Sequence, residues 1–378
     1  MPEVHGFAHD KYAAVKKLFE ENIASGADIG ASFSATVDGE TVVDLWGGHA
    51  DPAKTRRWEK DTIVNVYSTT KTMTALTALL LADRGLLDFD APVARYWPEF
   101  AANGKADIKV SHLMSHSAGL SGWKEKIAKE DLYDWRKVTA LLAAQAPFWK
   151  PGTAPGYHAL TQGYLVGEII RRITGKSVGT VFREEIATPL GADFHIGLAA
   201  SEDDRVAELL APPQGDAVAD GPAMSELMAN LATNPGIDVS ETTKRAWRGA
   251  EIPAAGGTGN ARSIAQIHAI LANDGVAQGR RFLSKEGVRK ALEPQIEGTD
   301  LIMGVPAKFG LGFGLPGGLM PLPNPNAMFW GGYGGSIAVI DMDAKMSIGY
   351  AMNRMAGTTT GDMRGIGMAF AMWDALKA

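Results

Sequence analysis

Ile63-Val-Asn-Val-Tyr-Ser-Thr-Thr-Lys-Thr-Met-Thr-Ala-Leu-Thr-Ala-Leu-Leu-Leu-Ala-Asp-Arg-Gly85 is the stretch on which the reading of this chain turns. Its first five residues are strand-like, and Thr69 to Arg84 then carries the strongest helical pattern in the sequence, stopped by Gly85, which enters the left-handed region at little cost. Met73, Ala75, Leu76, Ala78, Leu79, Leu80 and Leu81 make that helix apolar on most sides, so it belongs inside the molecule. Ser68 and Lys71 stand where it begins. The i, i+3 spacing puts the hydroxyl and the amine on one helix face, within reach of each other.

Outward from this helix, Ala31 to Val37 and Thr41 to Trp46 flank Asp38-Gly39, which reads as a tight hairpin. Ser336 to Ile340 and Met346 to Met352 form a second strand pair around the polar run Asp341 to Lys345. Asp10 to Ala24 predicts an amphipathic surface helix and Asp362 to Leu376 a closing one, so both ends belong to one layer. Between them lie helices over Val138 to Ala144, Leu160 to Thr174 before Gly175, and Ala261 to Asn273 before Gly275. The expected fold is α/β of the α+β type: an antiparallel sheet flanked by helices, with a mainly helical domain inserted. Residues 1–88 and 253–378 would form the sheet-bearing domain and 89–252 the helical one, with the active site at their junction. Ala211 to Ala223, poor in apolar side chains, reads as a surface excursion.

At 378 residues with 46% hydrophobic content the chain can bury a sizeable core. A net charge of −6 lacks the basic excess that nucleic acid binding requires. Cysteine is absent, which excludes disulfides, thiolate nucleophiles and cysteine-based metal sites and suits a reducing compartment. No apolar leader run follows Met1, and the longest apolar stretch, Ala75 to Ala82, falls short of the ~20 residues that span a bilayer. The expectation is a cytoplasmic protein without membrane insertion, its oligomeric state unreadable.

A serine hydroxyl becomes a competent nucleophile only when a neighbouring base takes its proton. For Lys71 to be that base, its pKa must fall from about 10.4 to about 7, roughly 4 to 5 kcal/mol of differential destabilisation, more than a helix dipole supplies. Burial and hydrogen bonds to the neutral amine must provide the rest. Read alone, the tetrad also fits a serine cap followed by a solvated lysine.

Companion motifs decide between these readings. Gly30-Ala-Ser-Phe-Ser-Ala-Thr-Val-Asp-Gly, Val43-Asp-Leu-Trp-Gly-Gly, Ser111-His-Leu-Met-Ser-His-Ser-Ala-Gly-Leu120, Pro253-Ala-Ala-Gly-Gly-Thr-Gly-Asn-Ala-Arg-Ser-Ile264 and Gly349-Tyr-Ala-Met-Asn-Arg-Met355 follow in order along the chain. With them the sequence resembles the serine β-lactamase and penicillin-binding-protein superfamily, most closely the class C-like family VIII carboxylesterases. The resemblance implies a serine β-lactamase-like fold and a Ser/Lys/Tyr site free of cofactor and metal. Ser68, Lys71 and Tyr157 would be catalytic. Tyr157 falls on the family's Tyr-x-Asn motif, in Pro155-Gly-Tyr-His-Ala159, with Ala159 where asparagine is usual. Its phenol would relay protons if a cationic neighbour lowers its pKa; read without the resemblance, it is equally a loop anchor.

The family's Lys-Thr-Gly motif aligns with Trp330-Gly331-Gly332, followed by Tyr333. That replacement removes the cation and hydroxyl that meet a β-lactam carboxylate, and leaves the Ser68 and Tyr333 amides as an oxyanion hole. Trp330, Gly331, Gly332 and His158 make up the expected substrate-binding set, the glycines letting substrate approach the strand unless they simply form a turn. The implied activity is hydrolysis of short-chain acyl esters through an acyl-enzyme at Ser68, on a small-molecule substrate. β-Lactam or D-amino-acid peptide hydrolysis, acyl transfer, and a catalytically silent penicillin sensor are the alternatives. Among the eight histidines, His112 and His116 share a helix face at i, i+4 but lack a third metal ligand, and His268 packs along its helix.

Overall fold

The computed structural model describes residues 3–213 and 225–377. Six strands make the main sheet: β1 (Val4–Ala8), β2 (Gly30–Val37), β3 (Glu40–Gly48), β4 (Ala327–Gly331), β5 (Ile337–Asp341) and β6 (Met346–Met352). Their order is β1-β3-β2-β6-β5-β4, and every pair is antiparallel. The two hairpins read from the sequence are therefore the inner part of one sheet, joined where β2 meets β6. Asp38 and Gly39 both take positive φ (51° and 82°), the backbone that a two-residue hairpin needs.

All residues of β5 and β6 are buried, because helices cover both sheet faces. Alternation along β6 assigns the faces. Gly349 lies against Ala261 and Ile264 of helix Ala261–Ala272, whereas Tyr350 meets Gly365 of the closing helix Met363–Lys377, itself packed on helix Ala13–Ala24. The first and last helices thus share one face.

The helix that opened the sequence reading spans Thr70–Asp83, and every residue from Thr70 to Leu81 is buried. It packs on helix Thr161–Thr174 and on the short helices Val178–Phe182 and Lys285–Arg289. Thr161–Thr174 ends at Gly175 with φ 70°, as expected. A small sheet of Val64–Asn65, Thr258–Gly259 and Phe194–His195 sits beside the start of the buried helix.

Some local readings change. The strand before Ser68 stops at Asn65, and β5 starts at Ile337 rather than Ser336, because each position is taken up by a turn. The helix carrying His112 is only Val110–Met114; His116 lies beyond it with φ 59°, so the two histidines do not share a helix face. The excursion expected at Ala211 to Ala223 lies, from 214 onward, outside the described residues. Among those residues no helix is long and apolar enough to cross a membrane.

Candidate active site

Ser68 sits in a single 3-10 turn, Tyr67–Thr69, wedged between the small sheet and the buried helix. Tyr67 holds φ 42°, an uncommon value for a bulky residue and a cost of about 1–3 kcal/mol that the surroundings must offset. They do so from both sides. Thr70 Oγ1 donates to the Tyr67 carbonyl (2.5 Å) and accepts from Gly257 N (2.8 Å). Ser336 Oγ donates to the Val66 carbonyl (2.8 Å) and lies 3.0 Å from Thr69 Oγ1. The Tyr67 ring packs edge-on against Trp247 and Tyr333.

Lys71 is fully buried, with Nζ 3.0 Å from Ser68 Oγ and 3.2 Å from Tyr157 Oη. It also donates to two backbone carbonyls, Ala159 (2.7 Å) and Ala254 (2.9 Å). Among the described residues no carboxylate pairs with it. Burial, with no counter-charge to oppose it, holds its pKa well below the usual lysine value. A neutral amine has two N–H donors and one lone pair. The carbonyls take the donors, which leaves the lone pair for the Ser68 hydroxyl.

Tyr157 is buried as well, and its Oη lies 2.5 Å from Ser68 Oγ. The sequence reading expected a cation to pull its pKa down. Instead burial raises it well above 10, with the Asp300 carboxyl adding to the rise and the hydrogen bond to Ser68 only partly opposing it. Tyr157 is therefore a neutral phenol, a donor rather than a phenolate. Its backbone N–H donates to Asp300 Oδ1 (3.2 Å), which also accepts from Ile302 N and Met303 N (both 2.9 Å). Asp300 Oδ2 is buried and has no partner among the described residues.

The remaining expected residues divide. Tyr333 follows the edge strand β4, and its N–H makes no hydrogen bond among the described residues, as an oxyanion donor requires. Trp330 is only 2% exposed, sandwiched by His116 (ring centroids 5.1 Å apart), Phe309 and Tyr157, with no hydrogen-bond partner for Nε1 among the described residues. It backs Tyr157 and offers a ligand almost nothing. Gly331 and Gly332 are also reassigned. A Cβ on Gly331 would meet the backbone of Thr360 and Gly361 at 2.2–2.3 Å, and one on Gly332 the Val66 carbonyl at 2.2 Å, so the chain itself, not a substrate, requires glycine there. His158 turns away: Nε2 accepts from Leu120 N (2.9 Å), Nδ1 lies 2.5 Å from the Gly156 carbonyl, and burial lowers its pKa to about 4. It is a loop strut.

Sequence reasoning missed His116, Asp300 and the two carbonyl acceptors. His116 accepts from His158 N (3.1 Å) while stacked on Trp330, which links the two loops. The positive φ of His116 leaves no mark in a single sequence, and carbonyl acceptors have no residue type at all. Of the cavities in the molecule, one of about 510 Å³ is bordered by Trp97, Trp135 and Arg172, away from Ser68 and without catalytic groups.

The Beta-lactamase family model matches residues 15–371. The chain is 36% identical over 369 residues to the esterase/beta-lactamase LipL of Mycobacterium tuberculosis, covering 93% of this chain and 83% of LipL. Among solved structures it resembles a family VIII carboxylesterase, with 43% identity, a TM-score of 0.93 and coverage of 99% of this chain and 100% of the other. A penicillin-binding protein homolog from Caulobacter crescentus follows at 36% identity and TM-score 0.92, again over 99% and 100% of the two chains. A match over almost the whole chain, with the Ser68, Lys71 and Tyr157 side chains meeting at one point, identifies the chain as a member of the beta-lactamase family.

Proposed function

We propose that the protein is a serine carboxylesterase that cleaves small acyl esters through an acyl-enzyme at Ser68. The observation that carries this is the Lys71 amine, buried, its donors committed to two carbonyls, 3.0 Å from the Ser68 hydroxyl. Lys71 takes the hydroxyl proton as Ser68 Oγ attacks the ester carbonyl, and the tetrahedral oxygen is met by the Ser68 and Tyr333 N–H groups. The Tyr157 phenol then gives its proton to the departing alkoxide and recovers one from the Lys71 ammonium. Water reverses these roles and frees the acid.

The relatives named as esterases support an ester substrate, and so does the third motif. A penicillin brings a carboxylate, and two basic side chains that could meet it are engaged elsewhere: Arg354 donates to the Gly26 carbonyl (2.6 Å) and His158 is buried. Leaving that carboxylate unpaired costs at least about 1–3 kcal/mol, so kcat/KM for a p-nitrophenyl ester should exceed that for a penicillin by at least about tenfold. The proposal also keeps the division into 1–88 with 253–378 and 89–252, which fits all six strands of the main sheet lying in the first group. A cytoplasmic location rests on the cysteine-free composition. Fluorophosphonate labelling with peptide mapping is the test: one adduct, on Ser68, with the burst of p-nitrophenol lost in Ser68→Ala. An adduct elsewhere, or normal turnover in Ser68→Ala, removes the proposal.

A further inference from the structure

Residues 331, 332, 334 and 335 are all glycine, so the turn that presents the Tyr333 N–H has little stiffness of its own. Backbone bonds pin it at Gly332 N to the Ser336 carbonyl (2.8 Å), Gly334 N to the Thr358 carbonyl (2.9 Å) and Ala356 N to the Gly334 carbonyl (2.8 Å), and side chains at the start of the closing helix add the remaining support. Arg364, with a side chain 13% exposed, donates through Nη2 to the Gly334 carbonyl (3.1 Å) and pairs with Asp362 and the fully buried Asp28. Its Nη1 reaches Asp28 Oδ1 (2.7 Å) and the carbonyls of Ala27 (2.9 Å) and Arg354 (2.8 Å). Asp28 is fixed in turn by the Tyr350 hydroxyl, 2.8 and 2.9 Å from its two oxygens.

The Gly332–Tyr333 peptide links this cluster to the oxyanion hole. Its carbonyl accepts from Gly335 N (3.2 Å) and Gly361 N (3.4 Å), and in a trans peptide the N–H points the opposite way, so whatever holds those two donors aims the Tyr333 N–H. Gly361 adjoins Asp362, and a Cβ on Gly335 would lie 2.4 Å from Asp362 Oδ2 and 2.9 Å from Arg364 Nη2. Both donors thus adjoin the Arg364–Asp362 pair. We propose that Arg364 is a positioning residue of the catalytic site: its guanidinium fork, set between Asp28 and Asp362, orients the glycine-rich turn so that the Tyr333 N–H meets the oxyanion. The inference rests on the acyl-enzyme reading above, and it adds a residue that touches neither substrate nor Ser68.

The test compares wild type with Arg364→Lys and Arg364→Met, using p-nitrophenyl butyrate as substrate and butylboronic acid as a probe whose tetrahedral adduct places an oxygen in the oxyanion hole. Assays run well below each variant's melting temperature, on protein with native circular dichroism. Losing one well-aimed oxyanion donor costs about 10²–10³ in kcat, so a misaimed one should cost about 10- to 100-fold. KM should stay within about threefold, and boronate affinity should fall by the same factor as kcat. Arg364→Lys, which keeps the charge but not the fork, should lose nearly as much as Arg364→Met. If Arg364→Met does not fold, Arg364→Lys and Asp362→Asn carry the comparison. Wild-type kcat in folded Arg364→Lys, or reduced kcat with unchanged boronate affinity, overturns the proposal. Turnover surviving in Ser68→Ala would instead overturn the acyl-enzyme reading, leaving the two failures distinct.

Discussion

Lys71 and Arg364 are both basic side chains drawn into the interior, and their surroundings are opposite. Among the described residues Lys71 meets two hydroxyls and two carbonyls and no carboxylate, whereas Arg364 meets two carboxylates and three carbonyls. Removing an ion from water costs several kcal/mol, and only opposite charge or many hydrogen bonds can offset it. Around Lys71 the offset is withheld, so burial drives the amine toward its neutral form, the form the proposed base requires. Around Arg364 it is supplied twice over, on a group that cannot deprotonate, and the result is a rigid strut. The pair shows how one interior makes a reactive group and a structural one from similar charges by the placement of carboxylates.

The comparison is broken most directly by giving the Lys71 site a base that cannot lose its proton. Lys71→Arg should be as inactive as Lys71→Ala, at least about 10³-fold below wild type in kcat. Arginine activity within tenfold of wild type would mean that Lys71 acts only as a positive charge. In the wild type, activity should fall as pH drops through the lowered Lys71 pKa. Next in size is Tyr157→Phe, which removes the leaving-group donor and leaves Lys71 and Ser68 in contact. A loss of about 10²-fold in kcat is expected, with fluorophosphonate still labelling Ser68. Unchanged turnover with an alkyl ester, whose leaving group needs the proton, would remove Tyr157 from the mechanism.

The difference between the two cations also explains what the sequence discloses. Ser68 and Lys71 stand out because acyl transfer needs those residue types at that spacing, and Tyr157 only because the family resemblance points to it; the buried helix is found because an apolar pattern on most sides excludes a surface position. The hairpins at Asp38-Gly39 and Asp341 to Lys345 follow from turn chemistry between alternating strands. Arg364 is invisible by the same logic: an arginine near the start of an amphipathic helix reads as a solvated charge, and its partners Asp28 and Gly334 stand 336 and 30 positions away along the chain. The glycines at 331 and 332 are legible as special and misread as to cause, since which backbone approaches them is a tertiary fact. Trp330 is misread for the same reason. The motif alignment fixes its position in the chain, but not that His116 and Phe309 close over it.

A third effect is thermodynamic. Burial holds the folded pKa of Lys71 well below its unfolded value, so at pH values between the two the unfolded state binds more protons. Stability from this residue is therefore present above the unfolded pKa of about 10.4 and lost as pH falls toward the depressed folded value, at about 1.4 kcal/mol per pH unit. Lys71→Met has no such slope. Urea denaturation of the two proteins at pH 9, 8 and 7 should show the difference moving in favour of the variant by up to about 1.4 kcal/mol at each step down. The two orphaned carbonyls, Ala159 and Ala254, shift the absolute offset but not the slope. A pH-independent difference would mean that Lys71 stays charged in the fold, and its contrast with Arg364 would disappear.

The smallest expected effect carries the opposite sign. Asp300 is a buried carboxyl held by three backbone N–H groups and paired with no cation among the described residues; burial outweighs those bonds and raises its pKa. In the pH range between its unfolded value, about 3.9, and the raised folded value, the native state binds the extra proton. Its contribution is then present at low pH and lost as pH rises through the folded pKa, the mirror of Lys71. Asp300→Asn keeps an oxygen to accept from Tyr157, Ile302 and Met303 and replaces the unpartnered Oδ2 with an amide. Since the Tyr157 backbone keeps its acceptor, kcat should stay within about threefold. The stability of the variant relative to wild type should climb by less than about 1.4 kcal/mol per unit as pH is raised from 4, then level off. A falling difference would show that the three N–H groups outweigh burial and hold Asp300 ionised. The carboxyl would then be an interior charge compensated by its surroundings, like Arg364 and unlike Lys71, which meets no carboxylate among the described residues.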